Sequence, residues 1–110
     1  MGYEYSIVLS SGEYKTAIDE LAKAFQSFST QYVVETNGRG FSLTCPEYAN
    51  WAHGMQISVE TADEYTCNVP KGTEYIYYLS YLFGDEAHKA MELMKSTLCS
   101  LGYEFKLDDL

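Results

Sequence analysis

Two kinds of hydrophobic spacing follow one another at the start of the chain. Tyr3, Tyr5, Ile7 and Leu9 are apolar at every second position, the spacing of a β-strand with one buried face. From residue 14 the apolar residues recur at steps of three and four, the spacing of an amphipathic helix; they are Tyr14, Ala17, Ile18, Leu21, Ala22, Phe25 and Phe28. We therefore predict a strand and then a helix, which Ser11 caps.

The middle of the chain reads mainly as strands. The segments rich in β-branched and aromatic residues, or alternating in polarity, are 31–36, 41–45, 55–60, 65–69 (a short strand) and 75–81. The composition of 75–81 favours a buried strand, and a helix there stays open as the alternative. Asn37-Gly38 favours positive φ angles and predicts a tight hairpin turn between the first two, although the glycine and arginine that follow leave the register open. Residues 46–54 have neither periodicity and read as a loop, which holds the single tryptophan, Trp51.

A second helix is predicted to start at Gly84-Asp85, with Asp85 as its cap, and to end at Gly102. Residues 103–107 then alternate as a last strand before an acidic tail of Asp108 and Asp109. The predicted fold is a single α+β domain over residues 1–110, with two helices packed on one face of a mostly antiparallel sheet of five to seven strands. Two β-α-β units around a hairpin also fit a ferredoxin-like core with extra strands.

Charge and cysteine content narrow the classes of function. The chain has 7 Lys+Arg against 16 Asp+Glu, a formal net charge of −9, which disfavours binding to nucleic acid or to an anionic membrane. No apolar run approaches the roughly 18 to 20 residues that span a bilayer, and the first residues lack the features of a signal peptide. Three cysteines without a C-x-x-C pair fit a reducing compartment, so we expect a cytoplasmic protein.

Sequence signals for catalysis are weak. The chain has no phosphate-binding glycine motif, no H-E-x-x-H and no G-x-S-x-G. His88 and Cys99 fall on one stripe of the second predicted helix but about 16 Å apart, too far for a thiolate–imidazole pair. Glu60, Asp63 and Glu64 lack the spacing of a calcium loop. We expect a protein that is not an enzyme and carries no cofactor or metal.

Acidic and aromatic residues concentrate in the same stretch. Residues 47–86 contain seven acids and one base, a net charge of −6, together with Trp51 and six of the 11 tyrosines. Acids steer a basic partner toward the protein, and Tyr and Trp are enriched at interface hot spots. The expected partner-binding residues are Trp51, Glu60, Asp63, Glu64, Tyr65, Glu74, Tyr75, Tyr77, Tyr78, Asp85 and Glu86.

Together, these features resemble those of a class of proteins rather than of one family. The acids Glu60, Asp63 and Glu64, the aromatic run 75–78 and the acids Asp85 and Glu86, on a small acidic α/β chain, resemble the small bacterial immunity proteins that neutralise polymorphic or contact-dependent toxins. The resemblance implies a basic partner, for example a toxin with nuclease activity, whose active site the acidic surface occludes. Because immunity families differ greatly from one another, no family residues are carried over.

Two alternatives remain open from the sequence. One is a small-molecule-binding domain or enzyme with a pocket lined by Tyr and Met between helices and sheet. The other is a homo-oligomer in which the tyrosine strand 75–81 pairs across a two-fold axis. The oligomeric state itself does not follow from the sequence.

Overall fold

Six strands and two helices make up the described part of the chain. The computed structural model describes residues 3–28, 32–44 and 54–110. The elements are β1 (Tyr3–Leu9), α1 (Tyr14–Phe25), β2 (Val33–Asn37), β3 (Gly40–Thr44), β4 (Met55–Thr61), β5 (Glu74–Ser80), α2 (Gly84–Ser100) and β6 (Phe105–Asp109). The prediction of an α+β fold with two helices on a sheet of five to seven strands is confirmed.

The strands form one antiparallel sheet in the order β2-β3-β4-β5-β1-β6. The segment β2 to β5 is a meander, because each of its strands pairs with the next one along the chain. β1 lies between β5 and β6, so α2 connects two strands that are separated by a third, as in a split β-α-β unit.

The main core lies between the sheet and the two helices. Alternation along the strands places Ile7, Phe41, Ile57 and Ile76 on the helix side, where all four are fully buried. α1 contributes Leu21 and Phe25 to the same cluster, and α2 contributes Ala90, Met94 and Leu98. Burial of each large apolar side chain contributes about 1.5–3 kcal/mol, which fixes both helices on one face of the sheet.

The other face of the sheet carries polar side chains. In the register of β4, β5 and β1, Tyr77 lies between Ser6 and Ser58 on this face. The Tyr77 hydroxyl donates a hydrogen bond to Glu4 Oε1, and the Ser58 hydroxyl donates one to Glu60 Oε1 at 3.0 Å. On this face, hydroxyl groups therefore hold the carboxylates of Glu4 and Glu60 by hydrogen bonds.

Neither helix has the N-cap residue that the sequence predicted, although α2 does begin at Gly84 as predicted. α1 begins at Tyr14 after Glu13, and the Ser11 hydroxyl instead accepts a hydrogen bond from the backbone N–H of Glu104 at 3.0 Å. α2 begins at Gly84 after Phe83, which places Asp85 inside the first turn rather than at the cap. An acid in the first turn still interacts favourably with the helix dipole. The predicted end of α2 is confirmed, since Gly102 has a φ of +76° just after the helix.

Three predictions about strands and turns are corrected. The predicted tight hairpin between β2 and β3 is confirmed, with Asn37 paired to Gly40, but neither Asn37 nor Gly38 has the expected positive φ; Asn37 Oδ1 instead accepts the Arg39 N–H at 3.0 Å. Residues 65–69 form no strand, because they belong to a turn-rich loop. Asp108 and Asp109 are not a tail but part of β6, paired with β1. No helix in the described residues is long and apolar enough to cross a membrane.

Candidate functional site

The loop between β4 and β5, residues 62–73, carries much of the predicted acidic site. At its base the backbone N–H of Ala62 donates to the Thr73 carbonyl at 2.9 Å, and the N–H of Gly72 donates to the Ala62 carbonyl at 2.8 Å. These two bonds extend the antiparallel pairing of β4 and β5. The ends of the loop are therefore held by the sheet.

A side-chain-supported turn at Asp63 shapes the exposed part of this loop. Asp63 Oδ1 accepts hydrogen bonds from the Tyr65 N–H at 2.8 Å and from the Thr66 hydroxyl at 3.0 Å. Thr66 Oγ1 in turn accepts the Asp63 N–H at 3.1 Å. The bonds from Tyr65 and Thr66 lower the pKa of Asp63, because they stabilise the carboxylate. The turn presents Glu64 and Tyr65 outward, with the Tyr65 side chain 83% exposed.

The second half of the loop is anchored on the polar face of the sheet. Val69 is buried with Ala62 and Tyr75 in a small cluster that also contacts Val8, Tyr77 and Leu110. Asn68, at a φ of +64°, donates from Nδ2 to the Asp109 carbonyl at 2.7 Å. Since both halves are tied down, the loop presents Tyr65 in a defined position. We call Glu60, Asp63, Glu64 and Tyr65 the acidic loop surface. Glu74, also predicted to bind the partner, alternates with Tyr75 and lies on the helix side of β5, beside Tyr14 and Val59.

Two of the predicted partner-binding tyrosines are buried. Tyr78 is 1% exposed on the helix side of β5, edge-to-face with Tyr5, and Tyr75 is 7% exposed under the loop. Tyr77 is half-buried beside Glu4. The reason is that β5 lies in the sheet interior with the helices on one face and the loop on the other. Neither edge of β5 is free to pair with a second copy, which contradicts the proposed two-fold pairing of this strand.

Asp85 and Glu86 lie apart from the acidic loop surface. They occupy the first turn of α2, at the end of β5 opposite Glu74, and a strand of seven residues separates the two ends by about 20 Å. Near them are three exposed aromatic side chains that the sequence prediction did not include: Tyr3 (58%), Tyr81 (37%) and Phe83 (82%). Trp51, also predicted to bind the partner, lies outside the described residues.

Phe83 stands out only once the structure shows its place at the start of α2. It precedes Gly84 at the N-cap position of α2, where Ser, Thr, Asp or Asn is preferred, and it makes no side-chain cap. A large apolar residue that neither caps a helix nor enters the core breaks a local rule, and such positions concentrate at functional sites. We call Tyr3, Tyr81, Phe83, Asp85 and Glu86 the α2-start surface.

Several concave regions are present among the described residues, and two of them bear on ligand binding. A cleft of about 230 Å³ lies between α2 and the sheet and is lined by Tyr3, Tyr5, Tyr78, Ser80, Ala87, His88 and Met91. It has the Tyr and Met lining expected of the small-molecule alternative, but its volume is below the range of about 300–1,000 Å³ typical of ligand pockets. A larger groove of about 720 Å³ lies between the start of α1 and the β2–β3 hairpin.

Chemistry-bearing side chains are dispersed over the described residues. Cys67 and Cys99 are free and exposed, and no three His, Cys, Asp or Glu side chains within the described ranges converge as metal ligands. The buried hydroxyls of Ser6 and Tyr78 have no hydrogen-bond partner among the described residues. Burial raises the pKa of Tyr78, and a further increase comes from the charge of Tyr5. No protein-family model, curated protein sequence or solved structure matches this chain.

Proposed function

We propose that this chain is a non-enzymatic protein-binding module that binds a basic protein through the acidic loop surface. The observation that carries the proposal is Tyr65, 83% exposed on a turn that the Asp63 carboxylate holds in place. An exposed aromatic ring beside acids and on an ordered loop combines a hot-spot side chain with electrostatic attraction. Order in the free loop also reduces the conformational entropy lost on binding.

In its most specific form, the proposal is that the chain is an immunity protein acting in the cytoplasm. Its acidic loop surface would cover the basic active site of a cognate toxin, such as a nuclease, and exclude the substrate. The net charge of −9 supports this form, because a basic cleft attracts an acidic protein as it attracts a polyanion. Competition for the cleft, rather than chemistry, would be the inhibitory mechanism.

The Asp63 turn determines which variants test the proposal cleanly. Reversal of Asp63 would remove the hydrogen bonds that shape the loop as well as a charge. We therefore choose the double variant Glu60→Lys with Glu64→Lys for the charge and Tyr65→Ala for the aromatic contact. The matched control is Asp85→Lys with Glu86→Lys, which makes the same change in net charge at the other end of β5.

The experiment is affinity capture from a lysate of the native host, at low and moderate salt, followed by binding measurements with the captured protein. We expect Tyr65→Ala to weaken binding by about 2 kcal/mol, roughly 30-fold, with unchanged stability because the ring is exposed. The Glu60/Glu64 variant should slow association, most strongly at low salt, and the Asp85/Glu86 variant should bind nearly as the wild type does.

Two results would contradict the proposal at different levels. If both loop variants bind a confirmed partner as the wild type does, the acidic loop surface is not the interface. If the captured protein is harmless when expressed in cells without this chain, the chain is not an immunity protein, although it still binds a partner.

A further inference from the structure

The groove beside α1 brings charges of both signs around an apolar floor. It lies between the first turns of α1 and the β2–β3 hairpin, and its volume of about 720 Å³ is within the range of small-molecule sites. The floor includes Ile18, Ala22 and Val59. Lys15 and Arg39 line it together with three carboxylates, those of Glu13, Asp19 and Glu74.

Arg39 is the single arginine of the chain, and it makes two hydrogen bonds through its backbone and one through its side chain. Its N–H donates to Asn37 Oδ1 at 3.0 Å, its carbonyl accepts the Val59 N–H at 2.9 Å, and its Nε donates to the Val59 carbonyl at 2.8 Å. A guanidinium group has five N–H donors, so the bond from Nε leaves both Nη groups available.

No acidic side chain in the described residues neutralises Arg39. The ion pairs there join Lys23 to Glu20 and Lys106 to Asp108. Arg39 is one of five bases that form no ion pair within the described residues, and it is the one that lines the groove with its guanidinium group. A positioned guanidinium fork without a carboxylate partner has the geometry that binds a carboxylate through two parallel hydrogen bonds.

We propose that the groove binds a small zwitterionic molecule with an apolar side chain, such as a free amino acid or a dipeptide. The ligand carboxylate binds the Nη groups of Arg39, its ammonium group interacts with the acids that line the groove, and its side chain packs on Ile18, Ala22 and Val59. An inorganic anion fits less well, because the three acids outnumber the two bases. A simple cation would leave the Arg39 fork unused.

The test uses backbone amide NMR of the intact chain with matched ligands. Leu-Leu is compared with its C-terminal amide, which has no carboxylate, and with its N-acetyl form, which has no ammonium group. We expect saturable shifts at residues 15–19 and 36–40 with Leu-Leu, and at least about tenfold weaker binding of both analogues. This comparison needs no variant and so does not depend on how a substitution affects folding.

Variants then assign the carboxylate contact to Arg39. Arg39→Gln should weaken Leu-Leu binding about tenfold and Arg39→Lys less so, since Lys keeps the charge and loses the fork. Lys106→Gln, on β6 at the far side of the sheet, is the control and should leave binding unchanged. Circular dichroism verifies that each variant is folded.

Several outcomes would overturn the proposal. One is the absence of saturable shifts with leucine, phenylalanine and Leu-Leu at millimolar concentrations. Another is equal binding of Leu-Leu and its two analogues, and a third is an Arg39→Gln variant that binds as the wild type does. None of these outcomes bears on capture of a basic protein by the acidic loop surface, so the two proposals fail independently.

Discussion

At the scale of single residues, the hydroxyl of Tyr78 is an energetic cost in the core. Within the part of the chain that the structure describes it is buried without a hydrogen-bond partner, so folding removes it from water and none of these residues replaces the lost hydrogen bonds. We predict that Tyr78→Phe raises the free energy of unfolding by about 1 kcal/mol at pH 7, measured by urea denaturation. Tyr3→Phe, at a ring that is 58% exposed, is the control and should change it little. A destabilised Tyr78→Phe protein would mean that the hydroxyl does have a partner.

The same residue predicts a dependence of stability on alkaline pH. Burial raises the pKa of Tyr78 above its ordinary value of 10.0, so the folded state keeps the phenol protonated where the unfolded state loses the proton. The ionisation of Tyr78 therefore does not affect the free energy of unfolding below pH 10. Above pH 10 the unfolded state loses the proton first, and the free energy of unfolding declines as the pH rises. Urea titrations at pH 9 and pH 11 should show a smaller decline for Tyr78→Phe than for the wild type. An equal decline would assign the alkaline sensitivity to other groups.

Asp63 supports the loop locally rather than the fold globally. Its carboxylate accepts bonds from Tyr65 and Thr66 but is fully exposed, so we predict that Asp63→Ala speeds hydrogen exchange at the Tyr65 amide without a large change in the unfolding midpoint. Because its pKa is lowered, the wild-type loop should keep this protection until the pH falls through that lowered value. Glu64→Ala is the control at the neighbouring exposed acid. Unchanged exchange in Asp63→Ala would contradict the role of the turn.

At the scale of elements, the pairing of β3 with β4 depends on Gly40. A Cβ atom at this position would collide with the Ile57 carbonyl oxygen and lie 2.6 Å from Ser58 Cα, and backbone atoms in the sheet cannot move away without breaking the pairing. We predict that Gly40→Ala lowers the free energy of unfolding by about 2–3 kcal/mol. Gly38→Ala, in the same hairpin with no atom within 4 Å of its Cβ and no positive φ, should be tolerated. Thermal unfolding of the two variants compares them directly.

The elements show where periodicity was sufficient and where it was not. Strands β1 and β5 and both helices were predictable, because their apolar positions repeat with the period of the structure they form. The N-cap residues were not, since Ser11 binds the backbone of Glu104, and Phe83 rather than Asp85 occupies the N-cap of α2. The short strand predicted at 65–69 is also wrong, because this segment is a loop in which Val69 is buried by contacts with Val8 and Leu110, which are distant in sequence.

At the scale of the whole molecule, the net charge of −9 opposes folding through repulsion among the acids. We predict that raising NaCl from about 20 to 200 mM, which shortens the Debye length from roughly 20 to 7 Å, increases the thermal midpoint. Glu60→Lys with Glu64→Lys changes the net charge by +4 to −5 and should reduce this increase. Tyr65→Ala keeps the charge at −9 and should retain it. A midpoint that is independent of salt in the wild type would contradict net repulsion.

The sequence by itself determined the α+β class, the strand and helix periodicities and the acidic charge, because these follow from local spacing and composition. Only the tertiary structure decided which side chains share a surface. It buried Tyr75 and Tyr78, placed Asp85 and Glu86 at the far end of β5 from Glu74, and brought Arg39 beside α1. The physical reason is that burial and proximity are set by strand order and by the packing of the loop and helices on the sheet, which join residues far apart in the chain.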